Sequence, residues 1–97
     1  MNDTQWWLLL PEPDLLLWAR LRLREDGGIE LLEATGEVLR FDDNDAARHY
    51  LLSAEYRAWD GLDPDDAAQL GFALDAVSPP TIADERMLAG AMAVRLR

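Results

Sequence analysis

The sequence has no cysteine, no lysine and a single histidine, His49. Without cysteine there is no disulfide, no thiolate nucleophile and no cysteine-ligated zinc. Without lysine there is no side-chain amine for Schiff-base chemistry. Long hydrophobic runs are also missing. The apolar stretch from Trp6 to Leu10 stops at Pro11, far short of a membrane span or the apolar part of a signal peptide. A cytoplasmic location and no membrane partner are the expectation. Positive charge is scarce too, with nine arginines against nineteen acids and a net charge of −10. Such a field repels phosphates on average, so nucleic acid is not an expected partner.

What is present is ordinary globular material. Ninety-seven residues, 49% hydrophobic and 29% charged, suit one domain over 1–97 with a single core. The charge is uneven. Residues 1–40 hold eight acids and four arginines (−4), residues 41–66 eight and two (−6), and the rest balance.

The first forty residues have strand periodicity. Trp6 to Leu10 is a short apolar run ended by Pro11 and Pro13, which favours a buried strand. After Leu15 the pattern comes to alternate, with Ala19, Leu21 and Leu23 against Arg20, Arg22 and Arg24, as in a half-buried strand. Asp26, Gly27 and Gly28 supply a hairpin turn, Ile29 to Ala34 a third strand, Thr35 and Gly36 a second turn, and Glu37 to Phe41 a fourth strand. Short connections make the neighbours antiparallel. Two-residue turns pair Leu32 with Leu39, and Leu23 with Leu32. That register puts Leu21, Leu23, Leu32, Ala34, Leu39 and Phe41 on one core face. The other face then shows Trp18, Arg20, Arg22, Ile29, Leu31, Glu33, Val38 and Arg40.

Beyond Phe41 the period becomes helical. Asp42, with Asp45 three residues on, caps a helix whose apolar stripe is Ala47, Tyr50, Leu51, Ala54 and Ala58. Asp63 and Pro64, followed by Asp65 and Asp66, begin a second short helix that ends near Leu70 or Gly71. Thr81 with Asp84 starts a third, running to about Ala89. From Met92 the residues alternate, which favours a closing strand on an edge of the meander over a helix to residue 97. The fold class is therefore α+β: a mostly antiparallel sheet of four or five strands, with two or three short helices on one face.

Three clusters invite a chemical reading. Asp45, His49 and Ser53 share one helix face, but a working triad draws its members from different elements around an oxyanion site. Asp42, Asp43, Asn44 and Asp45 are rich in oxygen, yet lack the glycine and distal glutamate of a calcium loop. Helix starts explain these acids and those at 63–66 without a metal. Trp6, Trp7 and Trp59 suit a core, or with Phe72 could line an apolar pocket. No catalytic residue, metal ligand or cofactor site is assigned.

The outer sheet face carries the stronger signal. Trp18, Arg20, Arg22, Ile29, Leu31, Val38 and Arg40 combine aromatic, arginine and aliphatic groups, as interfaces do. A protein-interaction or regulatory module, as a homodimer or a subunit of a complex, is the expected function. Cover of this face by the second helix or the C-terminal segment is the competing reading. A small-molecule site between sheet and helices, or an acidic mimic of nucleic acid, are the functional alternatives.

Overall fold

The computed structural model describes residues 4–81 and 85–96. The fold is α+β. Its sheet has six strands: β1 (Thr4–Glu12), β2 (Leu15–Leu23), β3 (Ile29–Glu33), β4 (Val38–Phe41), β5 (Arg57–Ala58) and β6 (Ala93–Arg95). They lie in the order β4-β3-β2-β1-β5, with β6 on β2. Every pairing is antiparallel. The helices are α1 (Asn44–Ser53), α2 (Pro64–Leu70) and α3 (Glu85–Ala91). Asp84, the expected start signal of the third helix, lies outside the described residues.

The two hairpins beyond β2 are built alike, and their loops set the register. In the first, Arg24 N donates to Gly28 O at 2.8 Å, enclosing Glu25, Asp26 and Gly27. In the second, Glu33 N donates to Glu37 O at 3.0 Å, enclosing Ala34, Thr35 and Gly36. Gly27 and Gly36 have φ of 88° and 89°, the left-handed position that closes a three-residue hairpin loop. Three-residue loops replace the two-residue turns expected from sequence, so β3 changes parity against both neighbours. Leu31 pairs with Leu39, Leu32 with Val38, and Leu23 with Ile29. Ile29 and Leu31 therefore join Leu21, Leu39 and Phe41, while Leu32 and Ala34 cross to the Trp18 side.

Helices pack on both faces of the sheet, a two-sided arrangement where a one-sided helical layer was expected. On one face α1 sets Ala47 and Leu51 against Trp7, Ala19, Leu21, Ile29 and Leu31. Asp43, one residue later than expected, caps α1 by accepting from Ala46 N at 2.8 Å. On the other face Ala67 of α2, Leu88 of α3, Phe72 and Met92 pack on Leu8, Leu16, Trp18 and Leu32. Asp63 caps α2, Pro64 opens it, and Gly71 ends it in the left-handed conformation at φ 104°. The expected closing strand forms. β6 pairs with Leu15, Leu16 and Leu17, the part of β2 that the short β3 does not reach.

Candidate interaction surface

The face that bears Trp18 divides into a covered end and an open end. At the covered end Trp18 is 0% exposed. Its ring meets Trp6 at 6.0 Å and Trp59 at 5.2 Å, both edge to face, and its backbone N donates to Met92 O at 2.8 Å. Trp6, Trp59 and Phe72 gather around it as filled core, while Trp7 packs on the other face of the sheet. The competing reading, internal cover, thus describes the Trp18 end.

The open end keeps the arginines. Arg20 and Arg22 on β2 and Arg24 just beyond it surround Glu30 of β3, which is 7% exposed. Arg22 Nη2 donates to Glu30 Oε1 at 3.1 Å, and Arg24 Nη1 to Oε2 at 2.9 Å. Arg20 Nη2 stands 4.0 Å from Oε1. A carboxylate this deep is tolerated because guanidinium groups engage both of its oxygens. Arg20 and Arg22 have further polar contacts of their own. Arg24 also reaches Asp26 at 3.6 Å. The Gly28 N–H first, and then Arg24, hold the exposed Asp26 carboxyl below its ordinary value.

Arg40 stands apart. It is the cross-strand partner of Glu30, is exposed, and has no ion pair among the described residues. With Arg24 and Asp42 it borders a shallow concavity of roughly 410 Å³. Val38, two residues before it on the same side, is 47% exposed.

Of the seven residues expected on this face, the sheet brings together Trp18, Arg20, Arg22, Val38 and Arg40. Ile29, 5% exposed, and Leu31, 0% exposed, lie in the opposite core layer, a correction that follows from the β3 register. Glu30 and Leu32 occupy their places. Glu30 has a recognisable signal: it is the one acid inside the run Ile29 to Leu32, which otherwise reads as buried.

β4 is also an edge strand of the sheet, and its pairing with β3 fixes which backbone groups face outward. Glu33 and Glu37 form a hydrogen-bonded pair, and antiparallel pairs alternate between bonded and non-bonded. Leu39 and Phe41 therefore turn their N–H and C=O groups toward β3. Val38 and Arg40 turn theirs outward, where no strand pairs with them among the described residues.

The other clusters resolve into structural roles. Asp45, His49 and Ser53 are all exposed on α1, and among the described residues no hydrogen bond or ion pair joins them to a second element. Among the described residues, no three His, Asp or Glu side chains converge as a metal site would require. On the far side of the sheet Tyr50 Oη donates to Glu33 Oε1 at 2.6 Å, and this bond first, then burial, raises its pKa to about 12. Burial, with the Glu33 charge, raises Tyr56 to about 12 as well. A separate groove of roughly 590 Å³ runs between β1, α1, β5 and α2, with Leu52, Tyr56, Arg57 and Leu70 on its walls.

No helix among the described residues is long and apolar enough to cross a membrane. Set beside protein-family models, curated proteins and solved structures, the chain matches none, so the site is read from its own residues and geometry.

Proposed function

We propose that the protein is a cytoplasmic interaction module, working as a homodimer or as a subunit of a larger complex. Its contact surface is the β4 edge together with the open end of the sheet face, formed by Arg22, Val38 and Arg40. The observation that carries this reading is the unpaired edge itself. Val38 and Arg40 present outward backbone groups beside exposed side chains, and strand addition at such an edge is a recurring mode of protein recognition. The opposite edge strand, β5, has only two residues, too short to template much pairing. The lack of cysteine suits a reducing compartment, and the net charge of −10 disfavours nucleic acid as the partner.

A photo-crosslinker at Val38, expressed in the native host, tests the reading. Position 52 serves as control, because Leu52 is comparably exposed at 57% but lies on α1. A discrete adduct from position 38 and none from position 52 is expected. An adduct from position 52 alone overturns it.

The groove beside Leu52 supports a second reading, a small-molecule-binding protein. Leu52 is a large apolar side chain left 57% exposed on the wall of a cleft that mixes leucines with Glu55, Arg57 and Gln69. Concave sites combining apolar walls with a few polar groups are common ligand sites. Thermal stabilisation by a metabolite, lost in Leu52→Asp, would favour this reading; no stabilisation by any metabolite would remove it.

A further inference from the structure

We infer that the occupant of the β4 edge is an extended segment of a different protein, added antiparallel, in which an acidic residue is followed by two apolar ones. This rests on the edge being the contact surface, as proposed above, and goes on to define the chemistry of the partner.

The backbone comes first. Only Val38 and Arg40 point their N–H and C=O groups outward, so an added strand pairs with these two residues, each exchanging two hydrogen bonds with the residue opposite. Running antiparallel, the segment meets Arg40, then Leu39, then Val38. Opposite Arg40 an acid is favoured, because a cross-strand opposite charge is stabilising and a like charge is not. Arg40 is available for it. Glu30, its partner within the sheet, is already held by Arg22 and Arg24, and Arg40 has no ion pair among the described residues. Opposite Leu39 the segment faces the half-buried rim of the α1 core, where Leu39 and Phe41 pack, so an apolar side chain fits. Opposite Val38, which is 47% exposed, a second apolar group completes the cover. The chain already contains this arrangement on the inner side of β4: Glu30, Leu31 and Leu32 lie opposite Arg40, Leu39 and Val38.

A second copy of β4 cannot supply the acid. Two-fold pairing must set outward-facing residues against each other, giving Val38 against Val38, Val38 against Arg40, or Arg40 against Arg40. Glu37 bonds inward to Glu33 and never lies opposite Arg40. Sliding further, to set Arg40 against Asp42, runs the strand into α1, which begins at Asn44. Two copies also bring together two net charges of −10, whereas four of the nine arginines gather at this end of one copy.

The test uses isotope-labelled protein and two unlabelled peptides that differ at one position, glutamate or lysine, followed in each by two valines. They are titrated into wild type and Arg40→Glu, with backbone amide shifts read by NMR. Wild type is expected to prefer the glutamate peptide by about tenfold, with the largest shifts at Val38 and Arg40, and Arg40→Glu to prefer the lysine peptide. Equal binding of both peptides at Val38 and Arg40 overturns the acidic segment and leaves the edge reading standing. No shift at these amides from either peptide overturns the inference, and the Val38 crosslink then decides the edge reading independently. Concentration-dependent dimerisation abolished by Val38→Asp also overturns it, in favour of a second copy.

Discussion

Trp18→Ala distinguishes a core tryptophan from an interface tryptophan. The wild-type ring is 0% exposed and makes edge-to-face contacts with Trp6 and Trp59. Truncating a buried aromatic of this kind costs about 3–5 kcal/mol. Each lost ring pair is worth about 0.5–1.5 kcal/mol beyond the area it buries, which places Trp18→Ala toward the upper part of that range. Domains of this size are stable by about 5–15 kcal/mol, so the variant should lose a large fraction of its stability. At about 5 °C per kcal/mol the thermal midpoint falls by about 20 °C. Far-UV circular dichroism with urea or heat is the assay, because the substitution itself changes tryptophan fluorescence. Trp18→Phe is the control. The indole Nε1 has no hydrogen-bond partner among the described residues, and phenylalanine removes that orphan donor, whose burial costs about 1–3 kcal/mol. The gain offsets part of the lost ring area, so Trp18→Phe should cost less than about 2 kcal/mol. A Trp18→Ala variant that stays within about 1 kcal/mol of wild type but loses an association that wild type makes would place Trp18 in an interface and not in the core.

Four further expectations can be measured in the same way. With both tyrosines raised to about 12, the folded state holds its phenolic protons more tightly than the unfolded chain, whose tyrosines titrate near 10. The resulting stability is complete below pH 10 and is lost as pH rises toward 12; absorbance at ~295 nm should show almost no tyrosinate at pH ~10.5 in folded protein. Gly36→Ala should cost about 1 kcal/mol in urea unfolding from backbone strain alone, since its added Cβ would meet only Ala89 Cβ, at an ordinary 4.0 Å. Glu55→Gly should stabilise by about 0.5–1 kcal/mol in the same assay, because Glu55 sits at φ 70° without being glycine. Glu30→Ala should cost about 2 kcal/mol by thermal melting, less than a fully buried pair, because the Arg22 and Arg24 side chains are 40% and 32% exposed and can turn to solvent.

The meander, the Asp63 cap and the closing strand were legible because each is a local signal, a period of two or a polar residue before a helical run. The α1 cap fell on Asp43, one residue past the Asp42 expected. The parity of β3 was not legible. Asp26, Gly27 and Gly28 suit a two- or a three-residue loop equally well, and one residue decides which face Leu31 and Leu32 occupy. The cover over Trp18 had a signal that alternation obscured. Trp6 to Leu10 and Leu15 to Trp18 are continuously apolar, as strands buried on both faces are. Only from Ala19 onward does β2 alternate. The open end of the face therefore begins where alternation begins, and the arginines mark it. Glu30 was harder to place, because only the tertiary register shows an acid among three guanidinium groups.

The position of β6 also dictates an order of assembly. Residues 93–95 complete a row of the sheet begun at residues 15–17, so that row closes only after residue 95 has been synthesised. Until then Leu8, Leu16 and Trp18, all buried in the finished fold, lack the lid that α3, Met92 and β6 provide. A nascent chain stalled before residue 85 would present a sticky, tryptophan-rich sheet, the kind of surface on which partly folded proteins aggregate. Such long-range closure is intrinsically slow, and it makes the last-formed strand the step at which a chaperone has most to protect.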